Sequence, residues 1–372
     1  MCDHTMDPSG DTIFTLNDPN DLFAVLHDDL IPATEETASS FPAIEAVEQA
    51  SAEEGKEEGK KDNAAPNSIT FRVSSHHLIL ASPIFKAALT GGWKEGDTST
   101  GELQYSTNGW DTEAMTIVLN ALHGHYLRVP MTVTLEMLAK IATIVDYYAV
   151  HEAMQLLRMF WIDHLSKALL ITTCSKRDSA LWICVSCVFG DAGIFMHVTQ
   201  VAIQYGQGDI SSLGLPIPPA VVDRVNKQRR DLVDTISAGL HDLKQGFIDG
   251  REGCNIPCRT MQLGALIQGM NDVKLLDHLP GNHFEDFSLS KLVRGVGAIK
   301  CPIWCDHDSG RHEVHQCAEA ATSPRDRPGY NIARKTEISS LLKHTSALTS
   351  RVKGMMGGLQ LADFVSSSSE SK

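Results

Sequence analysis

Apolar and polar side chains alternate along Ile69-Thr70-Phe71-Arg72-Val73, the period of a half-buried strand. Glu102 to Ser106 alternates in the same way and predicts a second strand. Leu22 to Leu26 follows the turn residues Asp18-Pro19-Asn20 and predicts another, short and apolar. Elsewhere the period is helical. Ser75 is placed to cap a short helix reaching Leu80. Ser82 is placed to cap the next, with Pro83 at its first position, where the missing N–H costs nothing and the fixed φ helps. Gly91-Gly92 should end that helix. Asp111 caps a helix that puts Met115, Val118, Leu119 and Leu122 on one face. Leu127 to Val129 reads as a brief extended piece before Pro130. Thr134 caps a further helix with Leu135, Leu138, Ala142 and Val145 inward, and His151 to Lys167 continues it, burying Met154, Leu157 and Trp161.

From there the patterns are helical only, over roughly 177–205, 219–249, 259–277 and 287–299, and more weakly 335–364. Ala180 to Val198, "ALWICVSCVFGDAGIFMHV", is apolar enough to raise the question of a bilayer. Gly190-Asp191-Ala192-Gly193 interrupts it, and an unpaired Asp in lipid is costly, so two buried helical pieces are expected. Trp161, Trp182 and Trp304 read as core anchors, and Met355-Met356 as part of a packed C-terminal segment rather than a partner-binding face. Residues 365–372, ending in "SSSSESK", read as a disordered tail.

Charge changes this picture at one place. The net charge is −14, and residues up to Pro66 hold sixteen Asp and Glu against three Lys and no Arg. Within them, 33–66 includes "EEGKEEGKKD", which has charge without apolar periodicity. It cannot repay an ordering cost of roughly 1–2 kcal/mol per residue, and a disordered acidic insertion is expected. The rest of the chain is nearly neutral, so no basic excess draws it to nucleic acid or an anionic membrane. The 372 residues, 42% hydrophobic and 21% charged, suit one to three globular domains. Asp3 and Asp7 occupy places where a secretory signal needs positive charge and then an apolar run. Nine cysteines in such a chain imply a reducing, intracellular compartment, cytoplasmic or nuclear, and free thiols or metal ligands rather than disulfides.

Candidate chemistry is sparse. His76 and His77 adjoin Ser74 and Ser75, but a serine nucleophile needs an oriented base and an oxyanion hole, and neighbours on one helical turn do not face each other. They read as exposed helix-surface histidines. There is no "G-x-S-x-G", P-loop, dinucleotide-binding glycine pattern or "H-E-x-x-H". Cys254, Cys258, Cys301, Cys305, His307, His312, His315 and Cys317 gather late. A structural zinc site needs four such ligands, and "CNIPC" and "CPIWC" have spacings that suit ligand pairs on turns. Helical patterns separate the two pairs, unlike a compact finger, so buried thiols and exposed histidines are expected. "CVSC" at Cys184–Cys187 lies in the most apolar helix, where thiols resist forming the reactive thiolate. The expectation is a non-enzyme with no catalytic, cofactor-binding or metal-binding residues.

The order of elements resembles a BTB/POZ domain, and so do the residues. "FRVSSHHLILASPIFKAAL" is similar to the family's second strand and following "H-x-x-x-L-x-x-x-S-x-x-F", with Leu78, Ser82 and Phe85 at matching places. "AMTIVLNALHGHYLRVP" resembles its "F-x-x-L-L-x-x-Y-x-G" helix, and "IATIVDYYAVHEAMQLL" its "A-x-x-Y-x-V-x-x-L" pair, with Asp146, Tyr148 and Val150 matching. The likeness is to the BTB proteins of filamentous fungi, where "VSS-x-x-L-x-L-A-S-P-x-F" and "GW-x-E" recur. It covers about 11–170. Ser74 and Ser75 depart from it, standing where a histidine and a basic residue are common in the family.

The resemblance implies an α+β fold: a BTB/POZ domain over 1–170 with its small sheet flanked by helices, then an all-α region over 171–364. It implies protein partners rather than catalysis, namely a homodimer or other homo-oligomer, or an adaptor to a cullin-type ubiquitin ligase. Neither role needs a cofactor. Leu78, Ser82, Phe85, Tyr148 and Trp161 would serve the fold. The rival reading is a zinc-stabilised nuclear regulatory protein that uses the BTB domain as an oligomeriser.

Overall fold

A computed structural model of the chain describes residues 2–26, 67–90, 102–169, 175–277, 288–300, 305–306, 313–314 and 339–364. The insertion expected at 33–66, Gly91-Gly92, Trp304 and the tail at 365–372 lie outside them. The fold is α+β, and the chain forms two compact units. The first comprises 1–131 and 143–157, the second 132–142 and 158–372. This boundary falls earlier than residue 170, the end of the first domain that the resemblance implies.

The first unit is built on a four-stranded sheet, β1 (His4–Thr5), β2 (Thr12–Asn17), β3 (Ser68–Val73) and β4 (Leu103–Asn108), in the order β1-β3-β2-β4. β2 runs antiparallel to β3 and parallel to β4, and β1 runs parallel to β3. The register sets His4, Phe71, Phe14 and Tyr105 in one row across the four strands. Their rings touch in sequence, at centroid distances of 4.9, 6.0 and 5.3 Å. Such cross-strand pairs are the unit of sheet stability. Phe85 from a helix packs against Phe14 and Tyr105 at 6.2 and 5.2 Å, and Tyr148 stacks on Phe85 at 4.4 Å. Phe14, Phe71, Phe85 and Tyr148 are at most 1% exposed, so this aromatic cluster is the core of the unit.

Two expected elements differ. β2 is Thr12–Asn17, not Leu22–Leu26. Asp18 and Asn20 both take positive φ and turn the chain away, and Leu22 ends up 84% exposed. Residues 126–128 form a single 3-10 turn rather than an extended piece, with only Val129 extended behind it.

The helices of this unit are α1 (Ser75–Ala81), α2 (Pro83–Thr90) and α3 (Thr112–Leu122). Asp111 caps α3 as expected, its carboxylate accepting the Ala114 N–H at 2.9 Å, and Met115, Val118, Leu119 and Leu122 are buried. Thr134 likewise accepts the Met137 N–H, at 3.1 Å, at the start of α4 (Leu135–Tyr148), which passes from the second unit into the first. Ala149 then takes a positive φ, so α5 (Gln155–Leu169) starts afresh instead of running on from His151.

The second unit is a set of helices: α6 (Lys176–Phe189), α7 (Ala192–Tyr205), α8 (Pro219–Asp249), α9 (Ile256–Asp272), α10 (Leu289–Gly297) and α11 (Ser340–Met355). The apolar run 180–198 is two pieces, as its interruption implied. Gly190 closes α6 in the left-handed conformation at φ 69°, where glycine carries no Cβ penalty, and Asp191 caps α7 by accepting the Ile194 N–H at 2.9 Å. No helix among the described residues is long and apolar enough to cross a membrane. One feature departs from an all-α region: β5 (Cys305–Asp306) pairs antiparallel with β6 (Glu313–Val314).

α8 has a buried stripe at Val221, Val225, Arg229, Leu232, Ile236, Leu240, Leu243 and Phe247, the three-and-four spacing of an amphipathic helix. The arginine in that stripe has a purpose. Its guanidinium donates to the backbone carbonyls of Gly208 and, at 2.7 Å, Gly206, holding the α7–α8 connection. Asn226 adds a reciprocal pair with the Ile210 backbone, 2.9 Å each way. The segment 356–361 lies as a strap on α7 and α8. The Leu359 N–H donates to the Thr199 hydroxyl at 2.9 Å, Gln204 donates to the Met356 carbonyl at 3.0 Å, and Gln228 donates to the Gly357 carbonyl at 3.2 Å. Met356 is buried, in keeping with a packed C-terminal segment, although Met355 is exposed.

Candidate functional site

The stretch that carries both serines and both histidines, Ser74 to Ser82, is where α1 is tied to its neighbours. Ser75 does not cap the helix; it is its first residue, and Ser74 stands at the N-cap position without a side-chain cap. The free end is satisfied from outside. The Asp11 carboxylate accepts the Ser75 N–H at 2.8 Å and the Ser75 hydroxyl at 2.6 Å. Partial burial pushes the Asp11 carboxyl up, and the bonds from Ser75 outweigh it and hold it below the usual carboxylate value.

The Ser74 N–H donates to Nε2 of His123 at 3.0 Å. His123 follows the last residue of α3, and its Nδ1 lies 2.8 Å from the Leu119 carbonyl. His77 stacks on His123 with centroids 5.0 Å apart, and His125 lies 6.3 Å from it. His76 and His77 are exposed, as expected, whereas His123 is buried. The Ser75 hydroxyl bonds a carboxylate rather than an imidazole, and the cluster ties down a helix end. Sequence reasoning missed His123 and His125. Their signal is "LHGH" after an apolar helix, where a ring can reach the carbonyl four residues back.

At the other end of α1, the Ser82 hydroxyl accepts the Phe85 N–H at 3.1 Å and donates to the Tyr148 carbonyl at 2.6 Å. It caps α2 as expected. Leu78, Phe85, Tyr148 and Val150 are buried to 1% or less, as is Trp161 in the second unit. The Tyr148 hydroxyl lies among Tyr105, Thr107 and Trp110 with no partner at hydrogen-bonding geometry, and burial holds it protonated.

Several large apolar residues of the same unit reach solvent. Leu80 is 88% exposed and Leu127 104%, and Ile84, Tyr126, Met131 and Tyr147 are exposed as well.

In the second unit, a groove of about 240 Å³ runs between α8 and α11, lined by Gly239, Leu243 and Leu348 with Asp242, His344 and Arg351. The Ser340 hydroxyl donates to Glu252, and His344 bonds the other oxygen of that carboxylate at 3.2 Å. Serine and imidazole thus bond the carboxylate rather than each other.

Among the late cysteines, Cys254 is exposed, and Cys258 is buried with its sulfur accepting from Gln262 at 3.0 Å. Cys301, His307, His312, His315 and Cys317 lie outside the described residues, and of Cys305 only the strand position is described. Among the described residues no group of three or more His, Cys, Asp or Glu could hold a metal ion. In α6, Cys184 is buried and burial pushes the Cys187 thiol up to about 12, far from a reactive thiolate.

No family model, curated protein or solved structure matches this chain.

Proposed function

We propose that the first unit is a BTB/POZ-type protein–protein interaction module that acts without catalysis, by homo-oligomerisation or as an adaptor. The observation that carries the interaction reading is the set of large apolar side chains left in solvent on its helices and turns, Leu80 and Leu127 foremost. Isolated apolar residues are ordinary on a surface, and the reading requires that a partner bring some of these, Leu80 and Leu127 first, into one covered patch. The family reading is supported by the order sheet, α1, α2, β4, α3, α4, which agrees with what the sequence resemblance implies. It is supported too by the motif residues Leu78, Ser82, Phe85, Tyr148 and Val150, all turned inward.

A specific interface buries on the order of 1,200–2,000 Å² in total. Sedimentation of the full chain at micromolar concentration tests self-association, with Leu80→Glu and Leu127→Glu as surface variants. A wild-type dimer that the variants dissociate is the expected result. A wild-type monomer that retains a cullin-type ligase subunit would select the adaptor role. A monomer that retains neither would remove the proposal.

A further inference from the structure

Three imidazoles meet where α1 packs beside α3, and the bonds of one of them, His123, dictate its protonation state. His123 uses both ring nitrogens. Nδ1 lies 2.8 Å from the Leu119 carbonyl and must carry a hydrogen to bond it. Nε2 faces the Ser74 N–H at 3.0 Å and must be bare to accept it. Only the neutral ring with its hydrogen on Nδ1 satisfies both. A proton on Nε2 would set one N–H against another.

The neighbours add to this. His77 of α1 stacks on the His123 ring at 5.0 Å, and His125 lies 6.3 Å away, with its Nδ1 buried and unpartnered. Charge on any two of the three would be mutually repulsive. The carboxylate that acts on the ring is Asp7, in the turn before β2. It is already engaged by the Ser9 hydroxyl and N–H at 2.7 and 2.9 Å, and Asp11 is committed to Ser75.

We propose that His123, flanked by His77 and His125, is a proton-operated latch: with its ring neutral it fastens Ser74, at the start of α1, to the end of α3, and with its ring protonated it lets Ser74 go. Burial pushes the His123 imidazole down, the Leu119 carbonyl and Asp7 oppose that, and the two histidines reinforce it, leaving it below the ordinary 6.5. The sign follows. The unfolded or unlatched ring takes a proton more readily than the latched one. The stability the latch supplies is therefore complete above the ordinary imidazole value and is lost as pH falls below it. Between the two values, each pH unit of descent multiplies the unlatching constant by about ten. Ser74 is the N-cap position of the helix that presents His76 and Leu80 to solvent, so the latch bears on how firmly the start of that helix is held.

The test is an NMR titration of the full chain from about pH 8 to about pH 5, the window in which imidazoles exchange protons. It follows the ring signals of His123 and the amide of Ser74. The expected result is a neutral Nδ1–H ring at the upper end and a midpoint below the ordinary value. The Ser74 amide should lose its shift and protection at the same midpoint. His77→Asn should raise that midpoint. In His123→Gln, whose amide can donate to Leu119 and accept from Ser74 without titrating, Ser74 should stay protected throughout. A His123 midpoint at or above the ordinary value, or protonation that leaves Ser74 unmoved, overturns the latch. So does unchanged pH dependence at Ser74 in His123→Gln. The wild-type titration decides alone if that variant does not fold.

Discussion

The hydroxyl of Ser82 donates to the backbone carbonyl of Tyr148 at 2.6 Å, joining residues 66 apart in the chain. The same oxygen accepts the Phe85 N–H at 3.1 Å. One hydroxyl therefore starts α2 and fixes where α4 ends. Ser82→Ala leaves a buried N–H and a buried carbonyl unpaired, for an expected loss of about 1–3 kcal/mol. Urea unfolding measures it. A loss below about 0.5 kcal/mol would mean that water replaces both bonds.

Phe85 lies at the centre of the aromatic cluster, in contact with Phe14, Tyr105 and Tyr148. Phe85→Ala is expected to cost about 3–5 kcal/mol, through lost burial and the cavity left behind. Calorimetry of the full chain should show a lower transition for the first unit. A change under about 1 kcal/mol would place the ring in solvent and undo the packing described above.

Asp11, the residue before β2, reaches across to close the N-terminal end of α1. Asp11→Ala is expected to cost about 1–2 kcal/mol near neutrality, the range of a lost cap. Its carboxyl is held below the ordinary 3.8, so the folded state binds this proton less readily than the unfolded one. The contribution is present above that ordinary value and is lost as pH falls through the lowered one. Unfolding curves at successively lower pH should show wild type and variant converging. A constant gap would assign the effect to packing rather than charge.

Asn226 satisfies both backbone groups of Ile210 from a position that is 7% exposed. Asn226→Ala strands them, at a cost of about 1–3 kcal/mol. Hydrogen exchange should register this first at the α7–α8 connection. If protection there is unchanged while the whole second unit loosens, the pair stabilises α8 and not the connection.

Regular periods make most of this fold legible. The helical pattern over 219–249 coincides with α8, Pro219–Asp249, because a long amphipathic stripe opens at a proline pair and closes at Gly250. The split of the apolar run at Gly190-Asp191 is legible for the same kind of reason: a left-handed closure followed at once by a cap. β2 is not. "TIFTLN" does alternate, burying Thr12, Phe14 and Leu16, but it stands before the turn residues, and the apolar residues after them draw the assignment. The surroundings of His77 are illegible, since its stacking partner lies 46 positions away and only the tertiary fold brings them together. Arg229 has a local signal, a cation at a core position of a helix, but the carbonyls it serves belong to an irregular connection with no period to read.

The strap on α7 and α8 has a consequence for how the chain is made. Gly358 lies so close to α7 that a Cβ there would be 1.8 Å from the Met196 carbonyl oxygen, and the neighbouring Leu359 bonds a residue 160 positions earlier. At 5–20 residues per second, α7 leaves the ribosome on the order of 10–30 s before the segment that closes over it. For that interval the surface under the strap is open to water and to other molecules. The second unit thus completes itself only once a segment made 160 residues after the face it covers has emerged, and Gly358, with no Cβ to strike the Met196 carbonyl, permits that contact.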